Sequence, residues 1–245
     1  MHRRNPGILH SLALLLNPPL QRRPVDLDTV SHPVAAPGTF RFLDPGPLVD
    51  GELELVPPQQ RWAEELLEAC RHPLTIRDAP IESRVTREGL NHFLAAAPLG
   101  REPADRSKGR VPAYYFWMLL RHGAAGPSQP PPVRIAGGLT LRVAATPAIE
   151  RYYGHLGYHV YPPARGNAYA ERACRLLLPL ARRHGLRSLW ITCNPDNAAS
   201  RRTCERLGAV YVDTLMVPPD EPLYARGDTH KCRYLLDLTH GASGE

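Results

Sequence analysis

The sequence predicts an α/β (α+β) protein whose central sheet is mixed but largely antiparallel, has about seven strands and carries helices on both faces. Three apolar runs support this prediction: Tyr114–Leu120 (YYFWMLL), Ile135–Val143 and Gly154–Tyr161. Their content of aromatic and β-branched residues is typical of strands, and the Gly/Pro-rich turn after the first run predicts an antiparallel meander. From Ala170 to His184 the apolar spacing becomes helical, which adds a helix to the sheet.

The elements before the meander are predicted from shorter patterns. Gly51–Val56 (GELELV) alternates as a strand does, and Gln59–Arg71 places its apolar side chains on one face of a helix. Thr86 is a suitable N-terminal cap for a second helix, because its hydroxyl can accept a hydrogen bond from the first turn. The polar segment Leu99–Arg110 predicts a loop. The longer connection Ala144–Tyr153 is expected to form part of a substrate-site wall.

The elements after the meander alternate between helix and strand. Helix Ala170–His184 contains Pro179, which predicts a kink, and ends at a glycine. Asn194, followed by proline, is expected to cap a further helix. The remaining strands are predicted at Leu189–Cys193, Val210–Val217 and Cys232–Leu238.

The chain of 245 residues, 43% of them hydrophobic, is long enough for one large core with an extension. Residues 1–48 are rich in Pro and Arg and predict a disordered or weakly structured extension, residues 49–239 a single domain, and residues 240–245 a tail. The apolar run Ile8–Leu16 follows a basic start but lacks a small-residue cleavage site, which argues against an export signal. A docking peptide is the alternative interpretation of this run.

Composition excludes several classes of function. The five cysteines are widely spaced and form no C-x-x-C pair, so reduced thiols in a cytoplasmic protein are expected rather than disulfides or a metal site. The formal net charge of +6 suits an anionic ligand. No basic stripe is interleaved with aromatic residues, which argues against a nucleic-acid partner. No run approaches the ~20 apolar residues of a membrane span, so no membrane partner is expected.

The strand Gly154–Tyr161 leads into a turn that is suited to bind an anion. Pro162 and Pro163 end the strand because neither ring donates a backbone hydrogen bond. Arg165-Gly166-Asn167-Ala168 follows as a tight turn before the helix. A strand, a short turn and a helix start direct successive backbone N–H groups, and the positive end of the helix dipole, at an anion such as a pyrophosphate.

This order of residues resembles the acetyl-CoA motif of the GNAT superfamily of N-acetyltransferases, V-x-P-x-x-R-G-x-(G/A)-Y-A between strand and helix. A second block, LWITCNPDNAASRRTCERLGA at Leu189–Ala209, is similar to the family's fifth strand, Asn-x-x-Asn, helix and Leu-Gly ending. Either block alone would be a weak signal, and the two together are specific. The resemblance implies a GNAT-type fold in which strands four and five splay apart, and acetyl-CoA as co-substrate.

The resemblance also implies the residues of the acetyl-CoA site. They are Val160, Tyr161, Arg165, Gly166, Asn167, Ala168, Tyr169, Ala170, Asn194 and Asn197. A backbone N–H near Val160 or Tyr161 is expected to polarise the thioester oxygen. Ala168 replaces the family's second glycine, and Cys204 stands where many members have a proton-donating tyrosine. For Asn194 and Asn197, a simple role as helix caps competes with a contact to the pantetheine.

The implied reaction is direct attack of a primary amine on the thioester in a ternary complex, which needs a base for the amine and an acid for the leaving thiolate. His155 and His159 alternate onto one strand face, with Tyr158 on the other, so either histidine is a candidate base. Ordered water is the alternative base. Cys204, Tyr224 and Tyr234 are candidate acids. The acceptor stays open and is either a small molecule or a protein amine. The choice between monomer and homodimer also stays open. The alternative function is a GNAT-like domain that binds acetyl-CoA in a sensory or other non-catalytic role.

Overall fold

The computed structural model describes residues 40–105, 110–121 and 131–239. The strands in these ranges are β1 Val49–Asp50, β2 Leu53–Val56, β3 Arg101–Glu102, β4 Ala113–Leu120, β5 Ile135–Arg142, β6 Leu156–Val160, β7 Ser188–Cys193, β8 Val210–Met216 and β9 His230–Asp237. The helices are α1 Ala63–Arg71, α2 Pro73–Asp78, α3 Arg87–Ala96, α4 Tyr169–Arg183 and α5 Ala198–Leu207. Among the described residues, no helix has the length and apolar character needed to cross a membrane.

The strands form one sheet in the order β1-β2-β4-β5-β6-β7-β9-β8, with β3 attached to β4. Neighbouring strands are antiparallel except β6 and β7, which are parallel and pair through Leu156 and Ile191. Beyond this pair the two strands diverge, which confirms the predicted splay. The predicted count of about seven strands omits β1 and β3, because two residues are too few to show a strand period.

The helices cover both faces of the sheet, as predicted. Tyr114 and Tyr115 are consecutive on β4 and therefore point to opposite faces. The Tyr114 hydroxyl lies 2.7 Å from Nε2 of His184, at the end of α4. The Tyr115 ring packs edge-on against Phe93 of α3, with the ring centroids 5.5 Å apart. Because β4 is covered on both sides, all eight of its residues are buried.

Residues 40–48 pack against the sheet, although the sequence places them in a weakly structured extension. The Phe42 ring contacts Tyr114 with centroids 5.0 Å apart, the Phe40 ring stacks on His184, and Leu48 is buried. The N–H of Leu43 donates to the Tyr114 hydroxyl oxygen at 2.6 Å. The few apolar residues here lie between prolines without a period, so their packing cannot be recognised locally. Residues 1–39 and 240–245 lie outside the described ranges.

Two predicted helix starts have different outcomes. Thr86 caps α3 as expected, since its hydroxyl accepts from the N–H of Gly89 at 3.1 Å. The helix after β7 begins at Ala198 rather than directly after Asn194, and its cap is Asn197, whose side-chain oxygen accepts from the N–H of Ser200 at 3.0 Å. The role of Asn194 as a helix cap is therefore wrong, and its side chain is available for another purpose.

Candidate functional site

The divergence of β6 and β7 opens a cleft of about 240 Å³. Its walls come from β5, β6, β7, the start of α5, the beginning of β9 and the π-helical turn Ile149–Tyr153. The cleft is polar, and its lining includes Arg142, Tyr158, Cys193, Asn194, Ser200 and Lys231. Tyr152 and Tyr153 also line it, so the connection Ala144–Tyr153 does reach the site.

The start of α4 has the geometry of an anion site. Gly166 has φ 93° and Ala168 has φ 54° and ψ 21°, and no side chain caps the helix. The first helical hydrogen bond runs from the N–H of Arg172 to the carbonyl of Ala168 at 3.0 Å. The N–H groups of the three preceding residues, 169–171, therefore point out of the helix end, where an anion can accept from them.

Side chains of the turn hold it in this shape. Asn167 Nδ2 donates to the carbonyl of Ala164 at 3.1 Å, and Arg165 Nε donates to the carbonyl of Val160 at 3.1 Å. Ala168 is a non-glycine residue in the left-handed region, a conformation that costs roughly 1–2 kcal/mol for a residue with a Cβ. The turn is therefore held in place by its contacts in spite of the alanine, and the helix end keeps the form that the motif needs.

The strand register decides which backbone N–H groups face the cleft. The carbonyl of His155 accepts from the backbone N–H of Arg142, and the N–H of Tyr161 donates to the carbonyl of Ala136 at 2.8 Å, so from residue 157 onward the odd-numbered residues bond to β5. By alternation, the N–H groups of Tyr158 and Val160 point toward β7. Tyr161 is thus excluded as the thioester-polarising donor, and the predicted role fits Val160, with Tyr158 as a second donor.

His155 does not have the geometry of a general base. It is 2% exposed, and its Nδ1 accepts from the N–H of Trp190 at 3.0 Å, so the proton of the neutral ring is on Nε2. Nε2 has no hydrogen-bond partner among the described residues. Burial, together with the positive charge of Arg142, lowers the pKa of His155 to about 4. The ring therefore has no free acceptor nitrogen for a substrate proton.

His159 and Tyr161 lie on the same sheet face as His155, as the alternation predicts, and neither lines the cleft. The half-buried His159 ring packs edge-on against Tyr161 and lies over Gly138, where an added Cβ would be 2.6 Å from the ring. Burial lowers the pKa of His159 to about 4, with the charge of Arg165 adding to the effect. Tyr161 is buried and its hydroxyl accepts from the Cys70 thiol at 3.3 Å. Both side chains pack against neighbouring groups away from the cleft.

Cys204 is fully buried, which does not fit the predicted role of proton donor. Its sulfur lies 3.8 Å from the hydroxyl of Tyr158, which is itself 2.9 Å from Oγ of Ser200. Burial raises the pKa of Tyr158 well above its ordinary value. The neighbouring Cys193 is at the cleft, and hydrogen bonding with Cys204 lowers the pKa of the Cys193 thiol below its usual range, with Ser200 and the charge of Lys231 acting in the same direction.

Asn194 belongs to a closed polar triad at the other wall of the cleft. Its Nδ2 donates to Oδ1 of Asp228 at 2.6 Å, and its Oδ1 accepts from Nζ of Lys231 at 2.6 Å. Lys231 also pairs with Oδ2 of Asp228 at 3.1 Å. The side chain of Asn194 is therefore fixed in one orientation at the end of β7. Asn197, the second predicted asparagine, lines the same cleft besides capping α5.

Several cleft residues carry no sequence signal. Arg142 is 2% exposed, and its Nη1 donates to the carbonyls of Tyr153 and Gly154 at 3.2 Å each, which holds the π-helical turn against the cleft. Asp228 and Lys231 are more than 30 residues from Asn194, and no local pattern connects them. No group of three His, Cys, Asp or Glu side chains within the described ranges is arranged to hold a metal ion.

The sheet opens between two parallel strands, and the uncapped start of α4 follows in the chain from the strand on one side of that opening. The family profile described as Acetyltransferase (GNAT) domain matches residues 52–210. The chain belongs to the GNAT acetyltransferase family. No curated protein sequence matches it.

Solved structures share the fold at low sequence identity. The microcin C7 self-immunity acetyltransferase MccE, in complex with acetyl-CoA and AMP, is 17% identical over 77% of this chain and 93% of its own, with a TM-score of 0.54. The ribosomal L7/L12 α-N-protein acetyltransferase RimL, with coenzyme A, is 19% identical over 77% and 96%, with a TM-score of 0.52. A GNAT acetyltransferase from Bacillus anthracis is 16% identical over 78% and 98%, with a TM-score of 0.51. These similarities concern the fold alone.

Proposed function

We propose that this protein transfers an acetyl group from acetyl-CoA to a primary amine, by direct attack of the amine on the thioester in a ternary complex. The observation that carries the proposal is the opening between β6 and β7, which begins beyond Leu156 and Ile191. Strand β6 borders this opening and leads through residues 161–168 into the start of α4, so that one extended ligand can place its phosphates at the helix start and its thioester in the polar cleft.

The binding groups follow from this arrangement. The pyrophosphate accepts from the N–H groups at the start of α4, in the turn held by Arg165 and Asn167, while Gly166 leaves the approach open because nothing lies within 4 Å of a Cβ placed there. The pantetheine runs between the diverging strands, past the fixed side chain of Asn194 and past Asn197. Fold and family support this path.

The N–H groups of Tyr158 and Val160 provide the electrostatic part of the chemistry. A tetrahedral intermediate concentrates negative charge on the thioester oxygen, and a backbone N–H fixed in a strand stabilises that charge without reorganising. Since His155 has no free acceptor nitrogen and His159 does not line the cleft, the proton of the attacking amine passes to ordered water, the alternative that the sequence leaves open. No covalent intermediate on the protein is required.

The anion site is tested by the replacement Gly166→Leu, with Gly185→Leu as a matched control. Both glycines have positive φ, 93° and 80°, and open space around a Cβ, so the backbone strain is comparable, but Gly185 follows the far end of α4. Acetyl-CoA should raise the melting temperature of the wild type and of Gly185→Leu, because ligand binding stabilises the folded state by mass action. A folded Gly166→Leu variant with the full acetyl-CoA shift would contradict the proposed site.

Catalysis is tested by a mass-spectrometric screen of amines and peptides, incubated with the full chain and acetyl-CoA, for products heavier by one acetyl group. A second candidate function is an acetyl-CoA-binding protein without catalysis, and the burial of Cys204 is the observation in its favour. The same two measurements separate the functions: a melting shift without any acetylated product, over a broad set of acceptors, supports the binding protein.

A further inference from the structure

The composition of the chain singles out Lys231. Of the 30 Lys and Arg residues only two are lysines, Lys108 and Lys231, so arginine is used at almost every cationic position. Lys231 is also buried, with 9% of its surface exposed. The two cations are not interchangeable, since lysine has a compact ammonium that gives up a proton, whereas the guanidinium of arginine stays protonated. Lys231, the lysine within the described residues, is therefore both buried and part of the cleft at which acyl transfer is proposed.

Its surroundings fix the ammonium but leave it donor capacity. Nζ donates to Oδ1 of Asn194 at 2.6 Å and pairs with Oδ2 of Asp228 at 3.1 Å. An ammonium has three N–H donors, and these contacts use two of them. Because Asp228 also holds Asn194, the triad positions Nζ rigidly on the cleft wall at the end of β7, across the opening from Gly157 and Tyr158 on β6.

The reaction needs a group in this position. When the C–S bond of acetyl-CoA breaks, the sulfur leaves as a thiolate that must be stabilised and protonated. The donors suggested by the sequence do not serve: Cys204 is fully buried, and Tyr234 is buried with its hydroxyl accepting from Arg201 Nε at 3.2 Å. Tyr224 is 40% exposed and is not part of the cleft wall.

We propose that the Lys231 ammonium stabilises the departing CoA thiolate and donates its proton to it. The inference rests on the proposed acetyl transfer and assigns that reaction its acid. The acceptor nitrogen forms the C–N bond and loses one proton to water, while the electron pair of the broken C–S bond stays on sulfur. Sulfur then takes one proton from Lys231, and the resulting neutral amine regains a proton from water.

The positive charge of Lys231 also acts on a sulfur of the protein itself, that of Cys193 in the cleft wall. The pKa of the Cys193 thiol is lowered mainly by hydrogen bonding with Cys204 and Ser200, and the positive charge of Lys231 contributes in the same direction. Cys193 lies directly before Asn194 at the end of β7, so the charge of Lys231 reaches a sulfur at this wall of the cleft. The thiolate of a ligand that enters the opening experiences the same field.

The test compares the binding of CoA and of dethio-CoA, which lacks the sulfur, by calorimetry between pH 6 and pH 9 under reducing conditions. If Lys231 favours the thiolate, the affinity of the wild type for CoA relative to dethio-CoA should rise roughly fivefold or more as the thiol ionises, because an opposite charge within a few ångströms favours the ionised form. Lys231→Arg keeps the charge and should keep the rise. The neutral variants Lys231→Met and Lys231→Gln should lose it, and Lys108→Met is the control.

Turnover separates the proton transfer from the electrostatic effect. CoA release from acetyl-CoA should fall by about 10²-fold in Lys231→Met and also in Lys231→Arg, since a guanidinium does not donate its proton. The proposal would be overturned if the affinity for CoA relative to dethio-CoA rose with pH in Lys231→Met and Lys231→Gln as it does in the wild type. Unchanged turnover in both Lys231→Met and Lys231→Arg would also overturn it. If the wild type bound neither CoA nor dethio-CoA, the acetyl-CoA site itself would be overturned instead.

Discussion

Replacement of His155 by Gln should change the acid stability of the protein and leave the pH dependence of its activity unchanged. The pKa of His155 is about 4 in the folded protein against 6.5 for a free histidine, because the ring is buried next to Arg142. Between these pH values the unfolded chain binds a proton more readily than the folded one. The stability contributed by the neutral ring is therefore complete above pH 6.5 and is lost as the pH falls toward 4.

The size of the effect follows from the difference in pKa. A difference of 2.5 corresponds to about 3 kcal/mol in the free energy of unfolding, at 1.36 kcal/mol for each pKa unit. His155→Gln removes this titration, so the variant should lose about 3 kcal/mol less than the wild type between pH 7 and pH 4. Both should still lose stability through His159, whose pKa is also lowered to about 4.

Urea unfolding at a series of pH values measures this difference, and His92→Gln, at an exposed position of α3, is the control. The acidic limb of the rate profile should be the same in His155→Gln and wild type, because Nδ1 is occupied by the N–H of Trp190. Parallel stability curves for variant and wild type, or a shifted acidic limb, would refute the tautomer and burial derived for His155.

Two further predictions concern packing. Removal of residues 1–48 should lower the free energy of unfolding by about 4 kcal/mol relative to removal of residues 1–39, because the longer deletion exposes the sites of Phe40, Phe42 and Leu48; equal urea midpoints would show that these contacts add nothing. Gly138→Ala should cost about 1–3 kcal/mol, because the new Cβ would lie 2.6 Å from the His159 ring. Adding His159→Ala should recover part of that loss, and a double variant whose losses simply add would contradict the predicted clash.

The sequence was sufficient where the chemistry is local. The turn Arg165-Gly166-Asn167-Ala168 and the helix after it depend on neighbouring residues only, and the structure has that turn with positive φ at Gly166 and Ala168. The alternation that separates Tyr158 from His155 and His159 is also local, because side chains of a strand alternate between its faces. The helix cap at Thr86 is local as well, because its hydroxyl accepts from the N–H of Gly89, three residues further along the chain.

The sequence did not predict the register of the strands, the burial of individual side chains or the contacts between distant segments. Val160 and Tyr161 are equivalent as sequence positions, and only the pairing of Tyr161 with Ala136 shows that its N–H faces away from the cleft. Likewise, nothing local distinguishes a histidine whose Nδ1 is free from one that accepts from a neighbouring strand. Cys204 was a candidate acid by position, and the packing of α5 excludes it.

The sequence by itself therefore determined the longer strands and helices, the turn before α4 and the family, because each of these follows from the period and chemistry of consecutive residues. Only the tertiary structure decided which groups meet in the cleft. Asn194, Asp228 and Lys231 come together because the antiparallel pairing of β7 with β9 places Cys193 opposite Cys232, which brings the ends of two distant segments to one edge of the cleft. A contact of that kind depends on the register of the whole sheet, and no short stretch of the chain encodes it.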